Sequence, residues 1–255
     1  MVRRMKPAVL FLCMALSAAA APSEADLEAV GRRVWQNECA GSRDGLTSWN
    51  TGENFASLGI GHFIWYPAGV KGPFEESFPK LVRFFMEHGA QVPAWLRDQP
   101  PCPWKTREEF QREFQGERMR GLRELLASTI RLQSQFLAKR MQESLPKMIA
   151  AAPADRRDQV RQNFQSLLAT GAGTFALIDY VNFKGEGVAS TERYQGQGWG
   201  LLQVLETMRR EGAAVVAFSG AAAEVLERRV RLAPPERGET RWLTGWKARV
   251  RAYAR

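Results

Sequence analysis

The sequence predicts a mainly α fold with a small β-hairpin, organised as one domain over residues 21–255. Apolar residues recur at helical spacing along most of the chain, as in amphipathic helices. This period disappears over residues 52–66, where glycines, aromatics and β-branched residues favour short strands. With 255 residues, of which 45% are hydrophobic, the chain is long enough to bury a sizeable core.

The first 20 residues have the order of a secretory signal peptide. Three basic residues precede an apolar run over residues 8–16, and a small-residue tract follows over residues 17–21. The run is shorter than the roughly 20 residues that a membrane span requires. We therefore expect cleavage near Ala20 and a periplasmic or secreted protein.

Residues 23–38 are predicted to form the first helix of the mature chain. Ser23 can cap its N-terminus, and an apolar stripe at helical spacing leads to Glu38. The stripe consists of Leu27, Val30 and Val34. Since Glu38 continues this inward face, its carboxylate is expected to be partly desolvated, which disfavours the charged form and suits a general acid.

Further helices are expected to surround this element. Two short strands are expected over residues 52–66. Gly59 and Gly61 weaken a strand interior, so they mark either a bend or a site where something approaches the backbone closely. One long helix is predicted from residue 106 to about 141, with a bend at Gly116 or Gly121 and a break at Pro146 or Pro153. The other predicted helices cover residues 77–88, 155–169, 213–230 and 242–253. Residues 171–187 are predicted to form an apolar helix followed by a Gly-flanked polar stop, and residues 190–208 a polar loop that runs into a helix near residue 199. Residues 92–104 are predicted to be a proline-rich loop.

The formal net charge of +9 indicates attraction to a polyanion. No zinc-finger spacing or RNA-binding signature is present, so an anionic cell envelope is a better candidate than nucleic acid. The charge alternatively serves only solubility.

The mature chain has two cysteines, Cys39 and Cys102, and two histidines, His62 and His88. In an oxidising compartment the cysteines form either one disulfide or two separate thiols. Cysteine and histidine are too few for a structural zinc site, and we expect neither a metal nor a cofactor. Residues 22–255 contain no apolar run that would cross a membrane, and we expect a monomer.

Carboxylates are the best candidates for chemistry. Motifs for a serine nucleophile, a zinc protease or a phosphate loop are missing from the sequence. Paired carboxylates cleave glycosidic bonds, and four stand at helix ends or outside the scaffold: Glu38, Asp44, Glu53 and Glu186. His62 is expected to be a buried histidine satisfied by a carboxylate rather than a catalytic one. Five nearby aromatics either stack on sugar rings or pack in the core: Trp49, Phe55, Phe63, Trp65 and Tyr66.

Two stretches resemble a known family. The first, SWNTGENFASLGIGHF, is similar to the hairpin of phage-type lysozymes, which follows a helix ending in the catalytic glutamate and closes with a Gly-Ile-Gly-His run. The second, FALIDYVNFKGEG, resembles a later helix of that family, ending in an asparagine and a glycine that help to build the cleft. The resemblance covers about a fifth of the chain and indicates a distant member of the lysozyme-like superfamily.

This resemblance implies roles for particular residues. Glu38 takes the position of the general acid, and Ser57 that of the hairpin threonine that positions water. Thr51 stands where the family has its aspartate, so Glu53, two residues further on, is the leading second carboxylate. The expected substrate-binding residues are Thr51, Trp49, His62, Trp65, Tyr66, Asn182 and Glu186.

The resulting hypothesis is an exported muramidase-like enzyme whose partners are the glycan strands of peptidoglycan. One alternative is a lytic transglycosylase that uses Glu38 alone. Another is a non-catalytic envelope protein that binds glycans through a lysozyme-like fold, and a third is an inhibitor or effector acting on another cell's envelope.

Overall fold

The computed structural model describes residues 24–72 and 74–255, and within them the protein is mainly helical with a small antiparallel sheet. This confirms the predicted mainly α fold with a small β component. The predicted signal peptide lies outside the described residues. The helices are α1 (Glu24–Cys39), α2 (Phe78–Glu87), α3 (Ala94–Arg97), α4 (Arg107–Arg112), α5 (Glu117–Ser128), α6 (Ile130–Ala151), α7 (Arg157–Leu168), α8 (Gly171–Lys184), α9 (Leu201–Thr207), α10 (Ala214–Leu232) and α11 (Thr240–Arg251).

The principal sheet has three short antiparallel strands in the order β1 (Thr47–Ser48), β2 (Ala56–Leu58) and β3 (Phe63–Trp65). The two strands expected within residues 52–66 correspond to β2 and β3, whereas β1 was not predicted. Ser57 lies opposite Ser48 on one side and Ile64 on the other. A second hairpin pairs β4 (Arg193–Tyr194) with β5 (Gln197–Gly198), in a segment without a sequence signal for strands.

Helix α1 begins and ends within one residue of the predicted bounds. Val30 and Val34 are buried and Leu27 packs against the core, which confirms the apolar stripe that leads to Glu38. The chain leaves the helix through Ala40 and Gly41, both with a positive φ. This reversal brings the following hairpin back beside the end of the helix.

The single long helix predicted for residues 106–141 is wrong. Three helices, α4, α5 and α6, occupy this region, and they are separated at Gly116 and Thr129. Gly116 is extended (ψ 158°), and Thr129 leaves helical geometry with its hydroxyl donating to the Leu125 carbonyl at 2.7 Å. A local hydroxyl-to-backbone bond of this kind competes with the helical ladder.

Prolines act differently at the two predicted break points. Pro146 lies inside α6, whereas the helix ends before Pro153, with Ala152 extended (ψ 144°). A residue that precedes proline is disfavoured in the helical region, which explains the end of α6.

Helix α6 is the central helix of the fold, because it contacts α1, α2, α7 and α8. The hydrophobic core surrounds it continuously from the β2–β3 hairpin to α10. No helix among the described residues is both long and apolar enough to span a membrane.

Candidate active site around Glu38

Glu38 lies in the last turn of α1, and its side chain is only 13% exposed. One carboxylate oxygen accepts a hydrogen bond from Arg249 of α11, which is 211 residues away in sequence. The other oxygen lies 3.7 Å from Nδ1 of His62. Glu38 therefore joins the first and last helices of the described chain to the turn that follows β2.

His62 occupies the turn between β2 and β3 and has a positive φ of 49°. Such a conformation is uncommon for a residue other than glycine and often occurs at functional sites. Burial lowers the pKa of His62, and Arg249 adds to this effect while the charge of Glu38 opposes it. The ring is therefore neutral at pH 7, and a separation of 3.7 Å from Glu38 is too long for a hydrogen bond.

Arg249 is held mainly by Asp179, a fully buried carboxylate in α8. Two parallel hydrogen bonds join them, Nε to Oδ2 and Nη2 to Oδ1, both at 2.8 Å. The hydroxyl of Tyr253 donates to Oδ2 of Asp179 at 2.6 Å. Burial alone would lower the pKa of Arg249, but hydrogen bonds to Asp179 and the charges of Asp179 and Glu38 raise it above its ordinary value.

A second buried ion pair lies nearby. Arg229 of α10 binds both oxygens of the buried Glu239, at 2.8 and 2.7 Å, and Tyr194 donates to the same carboxylate at 2.8 Å. The Arg229 guanidinium also lies over the ring of Trp199, 4.1 Å from its centroid. The β4–β5 hairpin is thereby fixed to the helices that carry the Glu38 network.

Lys184, the last residue of α8, lies between the two networks. Its side-chain nitrogen is 3.4 Å from the centroid of the Trp246 ring and 4.0 Å from that of Phe183. Burial lowers the pKa of Lys184 to about 6, and the charges of Arg229 and Arg249 act in the same direction. The amine is therefore mostly neutral at pH 7.

We expect Lys184→Met to stabilise the protein in a pH-dependent manner. An unfolded chain has a lysine pKa near 10.4, so between about pH 6 and 10 the unfolded state binds a proton that the native state lacks. The burial of Lys184 therefore lowers the free energy of unfolding by its full amount below pH 6, and this cost disappears as the pH rises to about 10. The variant should therefore gain roughly 1–3 kcal/mol in free energy of unfolding at pH 7, and less as the pH approaches 10.

Urea denaturation of wild type and variant from pH 6 to 10 measures this difference. Lys139→Met is the matched control, because Lys139 is 51% exposed and pairs with Glu143. If Lys184→Met raises the free energy of unfolding equally at every pH, the lowered pKa of Lys184 is contradicted.

None of the protein-family models, curated proteins or solved structures compared with this chain matches it. The functional interpretation therefore depends on the residues of the chain itself.

The proposed second carboxylate, Glu53, lies in the turn between β1 and β2. Its carboxylate accepts from the side-chain amide of Asn50 at 3.1 Å, and its backbone carbonyl accepts from the indole of Trp49 at 2.8 Å. Burial raises the pKa of Glu53. Glu38 and Glu53 have separate sets of contacts, and the role of Glu53 as the second carboxylate stays a prediction.

The two hydroxyl residues of the hairpin have different surroundings. Thr51 is exposed in the β1–β2 turn. Ser57 is 3% exposed in the middle strand, where its carbonyl accepts from the Ser48 hydroxyl at 3.1 Å. The role of Ser57 in positioning water stays a prediction.

The hairpin aromatics are core residues. Trp65 is fully buried, donates to the Pro100 carbonyl at 3.0 Å and packs against Phe78 and Trp104. All of the other aromatic candidates are at most 6% exposed: Trp49, Phe55, Phe63 and Tyr66. This favours core packing over the sugar-stacking role that the sequence left open, because little of any ring is accessible.

The two candidates at the end of α8 are partly exposed. Asn182 lies in the last turn of the helix, and Glu186 follows Gly185, which ends the helix with a φ of 80°. Glu186 accepts a hydrogen bond from Lys147 of α6 at 2.7 Å. Glu186 thus connects the end of α8 to the central helix.

Cys39 and Cys102 are buried free thiols rather than a disulfide. Burial raises the pKa of each thiol to about 12, so both are protonated and unreactive at neutral pH. Among residues 24–72 and 74–255, no group of three histidine, cysteine or acidic side chains is arranged to hold a metal ion.

Two surface grooves lie away from Glu38. The larger, about 780 Å³, is lined by proline, tryptophan and charged residues of α3, α4 and α5 and the loop between α3 and α4. The smaller, about 410 Å³, lies between residues 66–70 and the prolines before Cys102. Neither is lined by Glu38, His62 or Glu53.

Sequence reasoning missed Asp179, Arg249 and Lys184. A signal for Asp179 was present, since a single carboxylate within the apolar run ALIDYV is expected to be buried and paired. Arg249 had no such signal, because its segment contains other basic residues. Lys184 had none either, because a lysine at the end of a helix is usually exposed to solvent.

Proposed function

We propose that this protein is an exported muramidase-like glycosidase that cleaves the glycan strands of peptidoglycan, with Glu38 as the general acid. The observation that carries the proposal is the contact of Glu38 with His62, 3.7 Å apart. It joins the glutamate that ends α1 to the Gly-Ile-Gly-His turn, the two parts of the stretch that resembles phage-type lysozymes. The net charge of +9 further supports an anionic polymer as substrate.

Arg249 offers a way for Glu38 to gain and lose a proton. To act as general acid, Glu38 must first release its ion pair with Arg249 and take up a proton from water, which it then donates to the glycosidic oxygen. Arg249 would not be left unpaired, because both oxygens of Asp179 still bind it at 2.8 Å. After the proton transfer, the ionised Glu38 returns to the guanidinium.

The separate contacts of Glu53 favour lytic transglycosylation as a second candidate. If Glu53 does not act on the same sugar, Glu38 works alone and a substituent of the substrate replaces the nucleophile, as in substrate-assisted glycosidases. In a hydrolase with the paired mechanism, Glu53 instead lies within roughly 5–9 Å of Glu38 across the scissile bond.

Digestion of purified peptidoglycan, with the fragments identified by mass, tests these proposals. Reducing muramic ends indicate hydrolysis, and anhydro ends indicate transglycosylation. For hydrolysis we expect Glu53→Gln to lose about 10²–10⁴-fold in rate. Unchanged activity of Glu53→Gln together with anhydro products overturns the paired mechanism.

The pairing of Glu38 with Arg249 also favours a non-catalytic alternative, in which the ion pair is purely structural and the protein binds glycans. This alternative predicts that the purified protein binds cell walls and releases no soluble fragments. Release of fragments by the wild type rules it out.

A further inference from the structure

One face of α6 runs from the hairpin turn to the end of α8. Gln133, Leu137, Arg140, Ser144 and Lys147 follow one another at intervals of four, three, four and three residues, so they lie on the same side of the helix. This face therefore passes through the region between the Gly-Ile-Gly-His turn and Glu186.

Both ends of this face are fixed by direct contacts. Gln133 accepts a hydrogen bond from the Ile60 amide at 2.9 Å, and Leu137 packs so closely that a Cβ on Gly61 would lie 3.0 Å from its Cδ2. At the other end, Lys147 binds Glu186 at 2.7 Å. Arg140 lies between these contacts, one turn beyond Leu137.

Arg140 differs from the other charges of this region because it has no hydrogen-bond or ion-pair partner among residues 24–72 and 74–255. Three carboxylates interact electrostatically with Arg140, and each of these carboxylates is already paired with a lysine. The pairs are Glu75 with Lys80, Glu143 with Lys139, and Glu186 with Lys147. The seven groups together carry one net positive charge, which is that of Arg140.

The guanidinium of Arg140 is also partly removed from water. The residue is half-buried, and burial lowers its pKa although the three carboxylates oppose this. Arginine nevertheless remains protonated in proteins. A half-buried cation without a partner is costly, and an anion that enters the region would recover that cost.

We propose that Arg140 is a substrate-binding residue that recognises a carboxylate of the glycan. A guanidinium presents parallel N–H groups that match the two oxygens of a carboxylate. In peptidoglycan this carboxylate belongs either to the lactyl group of muramic acid or to the stem peptide attached to it. The proposal rests on the proposed function, because it places the sugar between the turn that carries His62 and the end of α8.

Binding of soluble probes, measured by titration calorimetry, tests this without requiring cleavage. The probes are a disaccharide of N-acetylglucosamine and N-acetylmuramic acid, the corresponding muropeptide, and neutral N,N′-diacetylchitobiose. Wild type should bind at least one acidic probe about tenfold or more tightly than chitobiose, as expected for one charge-assisted bidentate contact. A preference for the disaccharide identifies the lactyl carboxylate, and a preference for the muropeptide identifies the stem peptide.

Arg140→Gln should reduce acidic-probe binding to the level of chitobiose and leave chitobiose binding unchanged. Arg140→Lys should retain part of the preference, because it keeps the charge and loses the bidentate geometry. Arg32→Gln, the same change at an exposed residue of α1 whose partner is Glu28, should have no effect on either probe. Thermal unfolding checks that the variants are folded.

Three outcomes overturn the proposal: no preference of the wild type for acidic probes, an unchanged preference in Arg140→Gln, or an equal loss for acidic and neutral probes. If Arg140→Gln does not fold, the proposal is still tested by the preference of the wild type for acidic probes and by the reduced preference expected of Arg140→Lys. Failure of the proposed function is distinguishable, because Arg140-dependent carboxylate binding without cleavage rejects the enzyme and retains the site. Cleavage that is accompanied by any of the three outcomes rejects the site alone.

Discussion

Glu38→Gln is expected to reduce the release of soluble fragments from purified peptidoglycan by about 10²–10⁴-fold, the contribution typical of a general acid. Glutamine has nearly the same shape as glutamate but has no acidic proton to give to the glycosidic oxygen. The carboxylate is 13% exposed and touches both Arg249 and His62, so the substitution changes chemistry at a defined position. Fragments are measured by mass, and circular dichroism checks that the fold is intact.

A matched control for this substitution is present on the same helix. Glu28 is 54% exposed and pairs with Arg32 one turn later, so Glu28→Gln should retain full activity. If Glu38→Gln is folded and cleaves peptidoglycan at the wild-type rate, Glu38 is not the general acid. If neither wild type nor Glu28→Gln releases fragments, the glycan-binding alternative is favoured.

Asp179→Asn is expected to lower the free energy of unfolding by about 3–5 kcal/mol, as observed when one partner of a buried ion pair is removed. Asp179 is fully buried and accepts two hydrogen bonds from Arg249 and one from Tyr253. The amide removes the charge that compensates the mostly buried guanidinium. In asparagine, one of the two oxygens of Asp179 is replaced by an NH₂ group, which is a donor and would face the donors of Arg249 or Tyr253.

Denaturation with urea at pH 7 measures this loss. Asp158→Asn is the control, because Asp158 is 83% exposed and its bond to Arg161 should contribute at most about 0.5 kcal/mol. In a double variant, Asp179→Leu with Arg249→Met, the loss should be clearly smaller than the sum of the losses of Asp179→Leu and Arg249→Met measured singly, since neither Asp179 nor Arg249 is then left without the other. A loss below about 1 kcal/mol for Asp179→Asn contradicts a structural role for this ion pair.

The two variants distinguish a catalytic role from a structural one. Glu38→Gln should change activity with the fold intact, whereas Asp179→Asn should change stability through Arg249. Activity measured well below the unfolding transition of Asp179→Asn then reports whether the orientation of Arg249 also matters for Glu38.

The sequence by itself determined the elements that local periodicity and backbone chemistry control. The stripe of Leu27, Val30 and Val34 predicted α1 and the inward position of Glu38, and the glycines at 59 and 61 predicted the bend between β2 and β3. Periodicity failed at Thr129, where a hydroxyl-to-backbone bond interrupts a continuous apolar stripe.

Only the tertiary structure decided which charges meet. Helical spacing shows that Glu38 faces inward, but it carries no information that Arg249, 211 residues later, contacts it or that Asp179 shares the same guanidinium. It is equally silent on Arg140, which has no partner in the described part of the chain because three lysines pair with the neighbouring carboxylates. Electrostatic pairing depends on distances of a few ångströms between elements, and those distances are fixed by how the helices pack around α6.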